Sequence, residues 1–269
     1  MLSPRTSPRA VLPQSRRRTL FEAERLSVRV SWYAPGLRMH RHAHDCHQVS
    51  LLLMGTLGEQ GPRDDVRLAT PAVGIKPAGA VHANDYGPVG ALILGFNLPP
   101  AFNLPDALGS SDAAQWRLDP PPALLAQGRS TLAQLLAGAT AACDTEAMLW
   151  ELLATVGSVP PRPSGTPPLW IARVCERLQQ EAASLTVLAQ EQGLHPVYFA
   201  RAFARWMGCT PSTFRTRAQL QRALPLLAAG QPLAMVALHA GFADQAHFSR
   251  VARQHSGLTP ARLRGLLGD

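Results

Sequence analysis

The amino-terminal half of the chain contains short apolar runs in which every second position is polar, a pattern typical of half-buried β-strands. In the clearest case the apolar positions are Leu26, Val28, Val30 and Trp32. Further apolar runs at 49–54, 73–76 and 91–96 are short, and glycines and prolines separate them. Because such runs are bounded by turn residues, residues 19–121 are predicted to form an all-β domain, a small barrel or a jelly roll.

From residue 122 the spacing of the apolar residues changes to that of helices. Leucines recur along 123–137, and Asp144 can cap a second helix with an apolar stripe. Two interpretations of 122–156 stay open: helices packed on the β domain, or a dimerisation segment, which we favour. Residues 157–168 are rich in proline, glycine and serine, so they are predicted to be a linker between two domains.

The last hundred residues contain one pattern twice, at 188–201 and 236–250. In both copies an alanine precedes a glycine by four residues, and a phenylalanine and an arginine follow. The glycine can turn the chain sharply, and the small alanine lets two helices cross closely. Each copy is followed by Gly-x-Thr-Pro, which is typical of a helix start. The repeat predicts an all-α domain over 169–269 with two helix-turn-helix motifs.

Residues 169–267 resemble the DNA-binding domain of the AraC/XylS family of bacterial transcription regulators. The resemblance rests on Gly208-Cys-Thr-Pro-Ser-Thr-Phe214 and above all on Gly241-Phe-Ala-Asp-Gln-Ala-His-Phe-Ser-Arg250. It implies that the second helix of each motif enters the major groove of double-stranded promoter DNA. The residues implied to contact DNA are Val197, Ala200, Arg201, Arg205, Gln245, Ala246, His247, Ser249, Arg250 and Arg253.

The expected roles within this set follow from the side-chain chemistry. Arg201 and Arg250 are suited to guanine, Gln245 to adenine, and Val197 to a thymine methyl group. Phosphate contacts are expected from Arg205 and Arg253 of this set. They are also expected from two arginines outside it, Arg215 and Arg217. Pro225 lies inside the predicted connecting helix and is expected to kink it.

A second stretch, 40–48, concentrates side chains that can bind metals. On an extended strand, residues of equal parity share a face, so the side chains at 40, 42, 44 and 48 are predicted to point the same way. This stretch resembles the first of the two cupin motifs, and 77–84 resembles the second. The cupin resemblance covers residues 24–98. It implies an effector pocket lined by His40, His42, His44, Gln48, His82 and Asn84.

In metal-binding cupins the two motifs together hold a divalent ion, and the ligands implied here are His42, His44, Gln48 and His82. Gln48 stands where the family has a glutamate, so the ligand set is neutral. Such a set suits zinc, nickel or copper better than a harder dication. The alternative is a polar pocket in which the histidines hydrogen-bond an organic effector.

The net charge of +8 is distributed unevenly. Residues 1–18 carry five arginines and no acid, and their composition predicts a disordered basic arm. Residues 19–168 carry 10 basic and 13 acidic side chains, a net of −3, whereas 169–269 carry 11 and 5, a net of +6. The excess positive charge on the helical domain suits a polyanionic partner.

Four cysteines without paired spacing predict reduced thiols in a cytoplasmic protein. No apolar run approaches about 20 residues, so no membrane span is predicted. The basic start lacks the apolar core of a secretory signal.

These patterns predict a sequence-specific DNA-binding transcription regulator rather than an enzyme, controlled by a small effector bound in the cupin-like domain. The family resemblance favours an activator that works with RNA polymerase, and a homodimer is expected. Two alternatives stay open: a metal-responsive regulator that uses the histidines, and a metal-dependent cupin enzyme with a DNA-binding tail.

Overall fold

The amino-terminal part of the chain consists of short antiparallel strands. The computed structural model describes residues 14–61, 65–68, 71–102, 115–118, 120–138, 142–157, 167–180 and 184–268. The strands in these stretches are β1 Ser15–Ala23, β2 Leu26–Tyr33, β3 Arg38–His42, β4 His47–Gly55, β5 Leu57–Gln60, β6 Asp65–Leu68, β7 Ala72–Lys76, β8 His82–Asp85, β9 Ala91–Leu98 and β10 Gln115–Leu118.

The strands form two sheets, one of six strands in the order β1-β2-β9-β4-β7-β10 and one of four in the order β3-β8-β5-β6. The predicted all-β amino-terminal region is confirmed. Within the described residues the two sheets are separate, so the architecture is a pair of sheets rather than one closed hydrogen-bonded barrel. The alternating apolar positions predicted at 26–32 are buried in β2, which pairs with β1 and β9.

Strand β1 corrects the prediction of a disordered basic arm through residue 18. Residues 15–18 belong to β1, where Arg16 lies opposite Trp32 and Arg18 lies opposite Val30 of β2. An edge strand can pair its backbone while charged side chains extend into water, so the arginines do not prevent strand formation. Residues 1–13 of the predicted arm lie outside the described part of the chain.

Helices follow the strands. Their bounds are α1 Pro122–Ala137, α2 Ala142–Gly157, α3 Leu169–Gln180, α4 Leu185–Glu191, α5 Pro196–Met207, α6 Pro211–Ala228, α7 Leu233–Ala240, α8 Gln245–Ser256 and α9 Pro260–Leu267. None of these described helices is both long and apolar enough to cross a membrane. Most of the predicted linker, 158–166, lies outside the described residues.

Helices α1 and α2 bury their apolar faces inside the chain. Leu132 of α1 and Leu152 of α2 are fully buried and belong to one apolar cluster with β2, β4 and β9. This arrangement matches the interpretation of helices packed on the β domain. The dimerisation segment stays a prediction, but the leucines that suggested it are already covered.

The carboxy-terminal helices form two helix-turn-helix units, α4 with α5 and α7 with α8. Side chains cap both second helices: the His195 ring accepts a hydrogen bond from the Val197 amide at 3.3 Å, and Asp244 accepts one from the His247 amide at 2.6 Å. Gly241 ends α7 with φ of 85°, the conformation for which glycine was expected. The predicted all-α region with two such units is confirmed. Helix α6 connects them and continues through Pro225.

The two units differ in how their cores are built. Phe199 and Phe203 of α5 belong to a separate core that also contains residues of α3, α4 and α6. Phe248 of α8 instead belongs to the large cluster that contains the β-sheet residues, α1 and α2. The second unit therefore shares a continuous core with the amino-terminal domain.

Strand β4 lies where these layers meet, and all its residues from 49 to 55 are buried. Helices α1 and α6 both contact it. Its last residue, Gly55, has φ of 96°, and an added Cβ would lie 2.1 Å from the Gly90 carbonyl oxygen. The backbone at the end of β4 therefore leaves no room for a side chain.

We expect Gly55→Ala to reduce the free energy of unfolding by about 3 kcal/mol, because it adds both backbone strain and a steric clash. Gly36→Ala is the matched control, since Gly36 has φ of 73° but nothing within 4 Å of its Cβ position. The control should lose only about 1–2 kcal/mol. Urea unfolding followed by circular dichroism measures both, and equal losses would contradict the close packing at Gly55.

Candidate functional site

A cavity of about 420 Å³ lies between the two sheets. Strands of the six-stranded sheet contribute Gln48 and Asn97, and the four-stranded sheet contributes His42, His82 and Asn84. The wall is therefore largely polar on the side where the histidines lie. Cavities with a few convergent polar groups are typical of small-ligand sites.

His42, His44 and His82 converge on one point of this wall. One nitrogen of each ring lies within 4.8 Å of the corresponding nitrogens of the other two. The ring centroids are 4.4 Å apart for His42 and His82, and 5.0 Å apart for His42 and His44. The structure thus brings together the three histidines that the two motifs predicted as ligands.

Backbone hydrogen bonds set the tautomers of two of the rings. His42 Nδ1 donates to the His40 carbonyl at 2.7 Å, and His82 Nδ1 donates to the Ala80 carbonyl at 3.0 Å. A carbonyl can only accept, so each Nδ1 carries a proton, and Nε2 is the nitrogen that has a lone pair in the neutral form of each ring. This arrangement of one anchored nitrogen and one free nitrogen is the usual setting of a metal-binding histidine.

The cluster also favours uncharged rings. Burial lowers the pKa of His44 to about 4, with further contributions from His82, His42, Lys76 and Arg17. Burial likewise lowers the pKa of His82, and Lys76 adds to the effect. His44 is therefore neutral at pH 7, which is the form that binds metal ions.

His40 does not join the other histidines, which corrects the prediction from parity. A register shift separates Met39, opposite Asn84, from His42, opposite His82. Such a bulge places two residues against one and changes which positions face inward. Met39 and His42 therefore line the cavity, whereas the side chain of His40 is exposed.

Gln48 and Asn84 line the cavity, as predicted for the pocket. Their side-chain amides, however, donate hydrogen bonds to other residues of the protein. Gln48 Nε2 donates to Asn97 Oδ1 at 3.1 Å, and Asn84 Nδ2 donates to Glu59 Oε2 at 2.9 Å. Gln48 as a metal ligand stays a prediction.

A buried ion pair that the sequence did not indicate lies next to the histidines. Lys76 Nζ lies 2.8 Å from Glu59 Oε2, and Trp116 Nε1 donates to Glu59 Oε1 at 2.7 Å. Burial raises the pKa of Glu59, but Lys76 and the hydrogen bonds outweigh it and lower the pKa overall. Lys76 is the one lysine of the chain, but the sequence contains no signal that pairs it with Glu59.

Aromatic rings form a different part of the wall. The rings of Tyr33 and Tyr86 stack with centroids 4.1 Å apart and planes 2° apart, and the Arg17 guanidinium lies 5.8 Å from the Tyr33 centroid. Burial, with the neighbouring Tyr33, raises the pKa of Tyr86. The cavity therefore combines neutral imidazoles with a flat aromatic surface and basic groups.

The predicted DNA-contacting residues lie on helices α5 and α8. Most of their side chains are exposed, namely Val197, Arg201, Arg205, Gln245, Ala246, Arg250 and Arg253, and the rest are half-buried, namely Ala200, His247 and Ser249. Phe199 and Phe248, on the opposite sides of the same helices, are buried. Each helix thus has one face in the core and one arginine-bearing face towards solvent.

Arg217 is placed differently from the expectation of an outward phosphate contact. It lies on α6 and lines a small cavity together with Arg129 of α1 and the end of β4. The spacing of arginines along a predicted helix did not reveal that the amino-terminal domain packs against this face.

Residues 188–265 match the family described as "Helix-turn-helix domain". The probable transcription factor PqrA of Proteus vulgaris is 29% identical over 96 residues, which cover 35% of this chain and 77% of PqrA. This region is an AraC-type helix-turn-helix domain. All ten predicted DNA-contacting residues lie within the matched range.

The bifunctional transcriptional activator/DNA repair enzyme Ada of Escherichia coli (strain K12) is 30% identical over 95 residues, 35% of this chain and 27% of Ada. The chain thus matches about a quarter of that relative. A cupin superfamily protein from Desulfitobacterium hafniense has 19% identity to the chain, covers 32% of it and 78% of its own length, and has a TM-score of 0.30.

We expect Lys76→Met to reduce the free energy of unfolding by about 3–5 kcal/mol, because it leaves the Glu59 carboxylate buried without its cation. The double variant Lys76→Met/Glu59→Gln should recover roughly half of that loss, since no buried charge remains. Urea unfolding measures both variants. A single variant as stable as the unchanged protein would show that the pair is solvated.

Proposed function

We propose that this protein is a sequence-specific DNA-binding transcription regulator whose two helix-turn-helix units read duplex promoter DNA. The observation that carries the proposal is the pair of arginine-bearing faces on α5 and α8, each exposed on a helix whose other face is buried. Two such units in one chain suit successive major grooves, about 34 Å apart. The net charge of +6 on 169–269 suits the same partner.

The chemistry of the two faces suggests which groups read bases. Arg250 and Arg201 can donate two hydrogen bonds to guanine, and Gln245 can pair with adenine. Asp244 is the cap of α8, so its carboxylate holds the helix start rather than a base. Arg205 and Arg253, further along the two helices, are assigned to phosphates.

The cavity between the sheets is the proposed effector site, and its effector controls how the AraC-type domain engages DNA. Such control requires that the effector bind two conformations with different affinities. The proposal includes a cytoplasmic homodimer that activates transcription with RNA polymerase. Support for these features comes from the resemblance and from the transcription-factor relatives of the helical domain.

A metal-responsive regulator is the second candidate, favoured by the histidine geometry. Three imidazole rings converge, and two of them turn Nδ1 to a backbone carbonyl, which leaves Nε2 to bind a metal. His42, His44 and His82 would hold zinc, nickel or copper, and the ion would supply open coordination positions to an effector. No comparable geometric observation on the described residues favours the enzyme alternative.

We expect Arg250→Ala to weaken binding to the cognate site by about 10- to 100-fold, equivalent to about 1–3 kcal/mol, and to relax sequence preference at one base pair. The site is first selected from random duplexes, and fluorescence anisotropy then measures affinity. Arg262→Ala is the control, because Arg262 is an exposed arginine on α9, outside both recognition helices. An equal loss on random DNA would make Arg250 a phosphate contact.

We expect His82→Ala to reduce bound metal from about one to below about 0.2 per chain after metal-supplemented growth, because it removes a buried ligand. His40→Ala is the matched control, since His40 is exposed outside the cluster and should leave the metal content unchanged. Elemental analysis of the purified proteins measures both. If the unchanged protein carries no metal, the metal-responsive candidate is contradicted, and the cavity is interpreted as a site for an organic effector.

A further inference from the structure

A second, smaller cavity of about 30 Å³ lies where the amino-terminal domain meets the AraC-type domain. One side consists of residues 53–55 of β4 and Arg129 of α1, and the other of Arg217 on α6 and His255 on α8. Gln221 Nε2 of α6 donates to the Gly55 carbonyl at 3.2 Å, which ties the two sides together. We call this region the seam.

Positive groups from both domains converge at the seam. Arg129 donates to the His255 carbonyl at 3.4 Å and so crosses from one domain to the other. The Arg217 guanidinium and the His255 ring make no hydrogen bond or ion pair with any described residue. None of the described residues that line the cavity is acidic. A half-buried cationic cluster without a counter-charge is costly, because burial and repulsion add together.

The electrostatic effects on these groups agree with that geometry. Burial, and then Arg217, lowers the pKa of Arg129. Burial lowers the pKa of His255 to about 4, and Arg217 and Arg129 add to the effect. Arg129 and Arg217 therefore repel one another across the cavity, and an anion between the two guanidinium groups would offset that repulsion.

The seam faces away from the proposed DNA surface. His255 follows buried Phe248 by seven residues and buried Val251 by four, so it lies on the inner side of α8. Arg250 and Arg253 are exposed on other sides of that helix. A DNA backbone bound along the recognition face would not reach this cavity, so the counter-charge must come from another source.

We propose that the seam binds a small oxyanion of the phosphate class between Arg129 of the amino-terminal domain and Arg217 of the AraC-type domain. Guanidinium groups donate paired hydrogen bonds that match a tetrahedral oxyanion. The small volume excludes a large metabolite. Because the anion touches both domains, its binding stabilises their docked arrangement. This inference is independent of the proposed DNA-binding function.

The test is isothermal titration of the full-length chain with inorganic phosphate, at an ionic strength held constant with chloride. We expect a saturable site in the unchanged protein. Arg129→Gln keeps a hydrogen-bond donor but removes the charge, and it should weaken phosphate binding at least about tenfold. Arg262→Gln, a change of an exposed arginine elsewhere on the same domain, should bind phosphate normally.

Hydrogen–deuterium exchange provides a second readout that does not depend on heat of binding. Phosphate should slow exchange at the carboxy-terminal end of α8 and along α1 in the unchanged protein, and not in Arg129→Gln. Equal phosphate binding by Arg129→Gln and the unchanged protein, or no binding by either, would overturn the proposal. Phosphate binding that is abolished equally by Arg262→Gln would show a general surface effect and would also overturn it.

Discussion

Burial of strand β4 on both faces is the constraint on which the arrangement of this protein depends. Apart from Ser50, which lines the cavity, the side chains of residues 49–54 are apolar and must be kept from water. One end of the strand carries Gln48 in the cavity between the sheets, and the other carries Gly55, whose carbonyl accepts from Gln221 of the AraC-type domain. A single strand therefore connects the cavity to the helices. Since close-packed cores move between discrete arrangements, a change at one end of β4 can reach the other.

Charged groups lie buried beside the cavity, and the burial of each one alone would be unfavourable. Glu59 and Lys76 are almost completely buried, and each is tolerable only because the other compensates it. Lys76 in turn helps to hold the nearby histidines neutral. The ion pair and the imidazoles thus form one electrostatic unit. A ligand that changes the charge at the histidines would also alter the balance on which the buried pair depends.

The sequence predicted those parts of the structure whose signals are local. Gly241 and Asp244 determine a helix end and a helix start by their own backbone and side-chain preferences. The sequence positions of the helix-turn-helix units could therefore be predicted. The histidine pair 42 and 44 was recognised for the same reason. The prediction that residues of equal parity share a face was wrong for His40. The bulge in β3 arises from its pairing with β8, and the spacing of residues along one strand gives no information about that pairing.

Features built from distant residues could not be predicted in this way. The Glu59 network joins residues 59, 76, 84 and 116, and nothing local indicates that they meet. The seam likewise joins Arg129 and His255, which are 126 positions apart. Compositional reasoning also failed for residues 15–18, because it counted arginine charge without the partner strand that satisfies the backbone.

The two helix-turn-helix units are unequal in a way that bears on control. The first unit has a core of its own around Phe199, Phe203 and Phe214, so its packing does not require the amino-terminal domain. The core of the second unit around Phe248 is continuous with the β-sheet core. A rearrangement of the sheets would therefore reach α8 before it reached α5. The spacing between the two recognition helices then depends on the connecting helix α6, which touches β4 and both units.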